Sequence, residues 1–188
     1  MIMREISNHI LDILQNSVAA GATLVRTDIS YSDDDKKLKV VITDNGKGMD
    51  EKTLASVEDP FSTSRKTRSV GLGIPLYKYH AILTGGAFSI KSKLGVGTCV
   101  KAVFCTDNID CMPLGNLVDA ILTTISSNHS VRFVFTFKVD DKSFEFDTND
   151  VKDILHNQEG FCDLTVYFYL REFMTSNINK VNGGKLQL

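Results

Sequence analysis

The run Asp44-Asn45-Gly46-Lys47-Gly48-Met49 has the residue types needed to hold a flat ligand that bears an amine. A carboxylate at a strand end can accept a hydrogen bond from an exocyclic amine. Glycines one residue apart let the backbone approach a ring closely, because no Cβ intervenes. The same spacing also describes an ordinary tight turn, so the run alone leaves both readings open. A second group, Gly71-Leu72-Gly73-Ile74 ahead of Pro75, offers backbone N–H groups at the start of a predicted helix, a place suited to phosphate oxygens. A third set lies near the N-terminus, where Glu5, His9, Asp12 and Asn16 recur at steps of four, three and four. At about 100° per residue, such steps put all four on one helical face, within about 60° of each other. A solvated helix surface can look the same.

Several predicted elements would position these groups. A helix over 4–20 carries Ile6, Ile10, Ile13 and Leu14 on a neighbouring face and stops at Gly21. Alternation over 24–31 and the β-branched run before Asp44 predict two strands, at Leu24 to Tyr31 and Leu38 to Thr43, joined by a polar loop. Asp50 is placed to cap a short helix reaching Val57, with Thr53 at N3, and Asp59-Pro60-Phe61 ends it. The polar, cationic run Ser62 to Ser69 has no apolar period and reads as a loop. The helix opened by Pro75 closes at Gly85-Gly86, and strands follow at 87–93 and 98–105.

Beyond residue 106 the pattern changes. A helix is predicted over 116–127. Phe133, Phe135, Phe137, Phe144 and Phe146 then mark a hairpin with one aromatic face, and Thr148 is a candidate cap for a helix bearing Val151, Ile154 and Leu155. Residues 163–180 have strand composition at Thr165 to Tyr169, but their length and the following residues favour a helix ending near Asn182-Gly183.

Asp12-x-x-x-Asn16 with Ser17 and Ala20-Gly21-Ala22-Thr23, then Asp44-x-Gly46-x-Gly48, then Gly71-Leu72-Gly73, then Gly95-Val96-Gly97-Thr98, resembles in order and spacing the motif series of the GHKL ATPases. That superfamily includes gyrase B, MutL, sensor histidine kinases and the anti-sigma-factor kinases. The resemblance spans roughly residues 1–105 and implies an α+β fold of the Bergerat type, an α/β sandwich with helices on one face of a mixed sheet. It also implies a division into an ATP-binding domain over 1–106 and a C-terminal α+β extension over 107–188.

The resemblance implies ATP and Mg2+ as cofactors. Asp44 would accept from the adenine amine, Thr98 would hold the same ring edge, Gly46 and Gly48 would make room, and Met49 closes that run. Asn16 would give an amide oxygen to Mg2+. The N–H groups of Gly71, Leu72, Gly73 and Ile74 would take the phosphates, and Arg65, Lys66 or Arg68 on a short lid would reach the γ-phosphate. Asp12 stands where gyrase B and MutL have a water-activating glutamate, one methylene shorter. His9, one turn away, is a second catalytic candidate through pairing with Asp12, as well as a candidate for plain packing.

Composition narrows the class. A net charge of −2 gives no global basic character for gripping nucleic acid, and no apolar run spans a bilayer. The N-terminus reads directly into a helix. Cys99, Cys105, Cys111 and Cys162 form no CxxC pair, so reduced packing thiols and a cytoplasmic setting are expected. The expected function is Mg-ATP binding with phosphate transfer to, or regulation of, a protein partner in trans. No phospho-accepting helical segment precedes the motif series, and a homodimer is left open. The alternatives are a slow ATPase acting as a nucleotide-gated switch and a non-catalytic ATP-binding module.

Overall fold

The predicted alternation builds a hairpin, β1 (Leu24–Ser32) against β2 (Lys37–Asp44), with Val25 opposite Asp44 and Ser32 opposite Lys37. This computed structural model describes residues 4–57, 73–155, 161 and 163–187. Two further strands, β3 (Ala87–Lys93) and β4 (Gly97–Cys105), pair antiparallel, and β4 also pairs antiparallel with β2. On the other side β5 (Arg132–Val139) runs parallel to β1 along its length, and β6 (Lys142–Asp147) closes the sheet against β5. The result is one mixed six-stranded sheet of order β3-β4-β2-β1-β5-β6. The strands after residue 106 therefore extend the same sheet and do not lie apart as a separate lobe.

Period-two burial fixes which face is covered. Val25, Ile29, Leu38, Val40, Ile42, Val100, Ala102 and Phe104 all point to one side and are nearly inaccessible. Over that side lie α1 (Ile6–Ala19), α3 (Gly73–Leu83), α4 (Leu117–Ser127) and α6 (Leu164–Asn182); α1 touches α3 and α4, and α4 touches α6. The expected α+β, Bergerat-type layering is thus formed. On α1 the stripe Ile6, Ile10, Ile13 and Leu14 is buried as its spacing predicts. Gly21, at φ +75°, follows the helix end and lets its own N–H reach the Val18 carbonyl.

The aromatic hairpin forms as expected, with Phe135 opposite Phe146 and Phe137 opposite Phe144. Each fully buried phenylalanine contributes roughly 1.5–3 kcal/mol of apolar burial, which ties β5 and β6 into the common core. The ambiguous segment 163–180 is helical. The Asp163 side chain accepts from the Thr165 N–H, Gly183 closes the end in the left-handed region, and Leu170, Met174 and Ile178 are buried at helical spacing. Capping and a tertiary groove override the strand propensity of Thr165 to Tyr169.

The short α2 (Glu51–Val57) carries the predicted cap, Asp50 Oδ1 accepting from the Thr53 N–H at 2.7 Å. The cap expected of Thr148 is not made. Its hydroxyl accepts from the Phe133 N–H, and Asp147 Oδ1 takes the Asn149 N–H at the start of α5 (Thr148–Leu155). Thr148 is fully buried beside a strand end, and its hydroxyl is taken up by a strand N–H.

Candidate functional site

Asp44 is the last residue of β2, with Val25 of β1 and Thr98 of β4 as cross-strand neighbours. It shares the parity of Val40 and Ile42, so its carboxylate faces the helix layer at the end of the sheet. Ser17 Oγ, on α1, donates to Asp44 Oδ2 at 2.9 Å, and the Gly46 N–H donates to Oδ1 at 2.9 Å. An ionised carboxylate has about four lone-pair sites, so two bonds orient it and leave acceptor capacity for an amine.

Thr98 sits across the β3–β4 hairpin from Ser92, their hydroxyls 2.9 Å apart. Ser92 Oγ also accepts from the Met49 N–H at 2.9 Å and lies 3.0 Å from the Gly97 carbonyl. All three contacts are satisfied when Ser92 gives its proton to Gly97 and receives one from Thr98. Thr98 then offers lone pairs, and not a proton, to a ligand.

The two glycines of the Asp44 run serve the protein's own chain. A Cβ on Gly46 would meet the Ala20 side chain at 2.9 Å and Asp44 Oδ1 at 3.0 Å. Gly48 is left-handed at φ +63°, and a Cβ there would collide with the Lys93 carbonyl. At Gly48 the missing Cβ makes room for the β3–β4 turn, which is locked to this loop by Gly95 N–H donating to the Lys47 carbonyl at 2.7 Å. Gly48→Ala is expected to cost at least about 1 kcal/mol, read as a lower urea midpoint.

On α1, Asn16 Nδ2 donates to Asp12 Oδ2 at 3.2 Å. The amide oxygen of Asn16 makes no hydrogen bond among the described residues, which leaves a hard oxygen available. Asp12 is half-buried, and burial pushes its carboxyl above the usual range, with the Asn16 bond offsetting part of the rise. Its carboxylate occupies the place a Cβ on Gly73 would take, so the first residue of α3 lies directly against it. Ile74 follows in the first turn, half-buried against the core.

Two members of the α1 stripe leave the expected arrangement. His9 does not pair with Asp12: it is fully buried, its Nε2 is 2.9 Å from His80 Nδ1 on α3, and its ring stacks on Tyr77 at 5.1 Å. The apolar α1–α3 seam takes the imidazole, and burial together with His80 lowers its pKa to about 4. Glu5 precedes the helix in extended conformation and accepts from Ser7 Oγ and the Asn116 N–H, fastening α1 to the start of α4. Helical spacing cannot hold for a residue outside the helix.

Arg65, Lys66, Arg68, Gly71 and Leu72 lie outside the described residues, as do Asp59-Pro60-Phe61 and Cys162. Ser92 and His80 carry contacts that the sequence reading did not assign. Ser92 was findable, since hairpin parity puts it on Thr98's face; His80 depends on how α1 and α3 meet. Cys99, Cys105 and Cys111 are free thiols. No helix among the described residues is long and apolar enough to cross a membrane.

The profile of the histidine kinase-, DNA gyrase B- and HSP90-like ATPases matches residues 2–108, more than half the chain. The chain belongs to that ATPase family. The Asp44, Asn16 and Gly73 groups fall inside the matched span. Within the family, the chain is 32% identical over 89 residues to sporulation kinase D of Bacillus subtilis, covering 47% of this chain and 17% of that protein. It is 27% identical over 102 residues to the histidine protein kinase DivJ of Caulobacter vibrioides, covering 52% and 17%. The chain spans less than a fifth of the length of these relatives. In fold it is similar to the Aquifex aeolicus MutL ATPase domain complexed with ADP, with a TM-score of 0.51 at 14% identity, covering 83% of this chain and 70% of that one. That likeness takes in more of the chain than the family profile does.

Proposed function

We propose that this ATPase-family chain binds Mg-ATP and passes the γ-phosphate to a protein partner in trans, in a cytoplasmic setting. The observation that carries the reading is the Asp44 carboxylate, held by Gly46 and by Ser17 of α1, the helix that also carries the bonded pair Asn16 and Asp12. Asp44 would accept from the adenine amine and Thr98 from the same edge. Asn16 Oδ1 fits the magnesium habit of taking one or two protein oxygens and the rest from phosphates and water. When bound, Mg2+ supplies charge neutralisation along the triphosphate. The residue 71–74 N–H groups and one of Arg65, Lys66 or Arg68 would hold the phosphate tail. In the transfer, a nucleophile on the partner forms a bond to the γ-phosphorus as the bridging oxygen bond breaks and ADP leaves; the nucleophile's proton goes to a base.

A slow ATPase switch is the second reading, and Asp12 is what favours it. A carboxyl with a raised pKa, placed against the start of α3, is a better proton acceptor than an ordinary aspartate. Its side chain is about 1.5 Å shorter than glutamate's, a deficit large enough to slow hydrolysis. Asp12→Glu is therefore expected to raise phosphate release about tenfold in a coupled assay. The reading as a whole is tested with γ-labelled ATP and proteins co-purified from the native cell. Label on a partner supports transfer, and label only as free phosphate supports the switch. No Mg-ATP binding by calorimetry would remove both.

A further inference from the structure

The sheet face turned away from α1, α3, α4 and α6 carries a row of cations that the nucleotide chemistry does not use. Along β4 from Cys105 to Gly97, every second position has a lysine on it or beside it. Lys37 and Lys39 of β2 pair with Cys105 and Val103, Lys101 is on β4 itself, and Lys91 and Lys93 of β3 pair with Cys99 and Gly97. The five form a diagonal across three adjacent strands, all on the outward parity and all exposed. Sheet geometry spaces neighbours in this row by about 7–8 Å. The remaining outward side chains of β2, β3 and β4 are Val, Thr, Ala, Ser and Cys, with no acid among them. None of the five lysines is in an ion pair among the described residues. At its Lys91–Lys93 end the row borders a depression of about 540 Å³ whose lining also includes Asp44 and Thr98, so that end adjoins the proposed nucleotide site.

Five like charges on one sheet face, unpaired among the described residues, stand out in a chain whose net charge is −2. Such a face repels itself and is relieved by a complementary partner. We infer that it docks an acidic segment of a partner protein, with Asp and Glu side chains meeting the lysine diagonal. The chemistry favours protein over nucleic acid. No aromatic ring projects from these three strands' outward face to stack a base, and the guanidinium of Arg26, on neighbouring β1, stands 4.0 Å from Asp28.

The test uses the full chain with three fluorescent probes: an oligoglutamate peptide, a single-stranded oligonucleotide and phosphatidylserine vesicles. The variants are Lys39→Glu/Lys91→Glu/Lys101→Glu and a control, Lys52→Glu/Lys142→Glu/Lys180→Glu, which makes the same charge change elsewhere; Lys→Gln versions of both guard against misfolding. Oligoglutamate binding is expected to weaken with salt, to drop at least about tenfold in the diagonal variant, and to change less than about twofold in the control. Equal losses in the two variants would overturn the assignment. So would tighter binding of the oligonucleotide or the vesicles, with the same dependence on the diagonal.

Discussion

Asp44→Asn is expected to weaken ATP binding by roughly ten- to a hundredfold, the equivalent of losing a charge-assisted hydrogen bond worth about 1.5–3 kcal/mol. The geometry says why a near-isosteric change should matter this much. Asp44 is already an acceptor twice over, toward Ser17 Oγ and the Gly46 N–H, and the proposed adenine amine is a third donor. An asparagine replaces one oxygen with an NH2 group. The Gly46 N–H can only donate, so the amide oxygen is drawn there and the NH2 turns toward Ser17, whose hydroxyl can reverse and accept. The folded protein then survives, but the charge that strengthens the bond to the amine is gone. Calorimetric titration with Mg-ATP gives the affinity, and a thermal scan separates binding loss from unfolding. Ser17→Ala, which frees but does not neutralise the carboxylate, should cost only severalfold. Unchanged affinity in the asparagine variant would remove Asp44 from the adenine site.

The second large effect is a loss of stability in mild acid. His9 has its pKa lowered from 6.5 to about 4, first by burial and then by His80. A histidine whose folded pKa is depressed stabilises the fold above the unfolded pKa, because only the unfolded chain gains from protonation as the pH falls. The loss begins near 6.5 and accumulates down to about 4. By about pH 5 it amounts to about 2 kcal/mol for His9 alone. His80 is lowered by burial and adds in the same direction. Asp12 is raised and works the other way. Asp33, Asp140 and Asp147 are held low by their partners, so their contributions stay intact until more acid pH. Urea unfolding at neutral pH and near pH 5 should show the drop in the native chain. His9→Phe keeps a ring on Tyr77 but cannot titrate, and its stability should be much flatter across that interval. An identical pH profile in that variant would show that the charge is taken up elsewhere.

Most of the architecture was legible along the chain because its cues are local. Alternating burial in β1 and β2, the Ile6-Ile10-Ile13-Leu14 stripe, the Asp50 cap and the Phe135–Phe146 hairpin all depend on residues within a few positions of each other. The polar motif groups could likewise be recognised from side-chain type and spacing. Ser17 donating to Asp44 joins residues far apart in the chain, and so does the His9–His80 bond.

Tertiary structure decided what those groups touch. It sent Glu5 to the start of α4, gave His9 to the α1–α3 seam, placed Asp12 against Gly73, filled the space over Gly48 with the Lys93 carbonyl, and ran β5 parallel to β1. The physical reason is the same in each case. Periodicity tells which face a residue occupies. The partner on that face is chosen by how separate elements pack, and by which buried donors and acceptors would otherwise go unpaired.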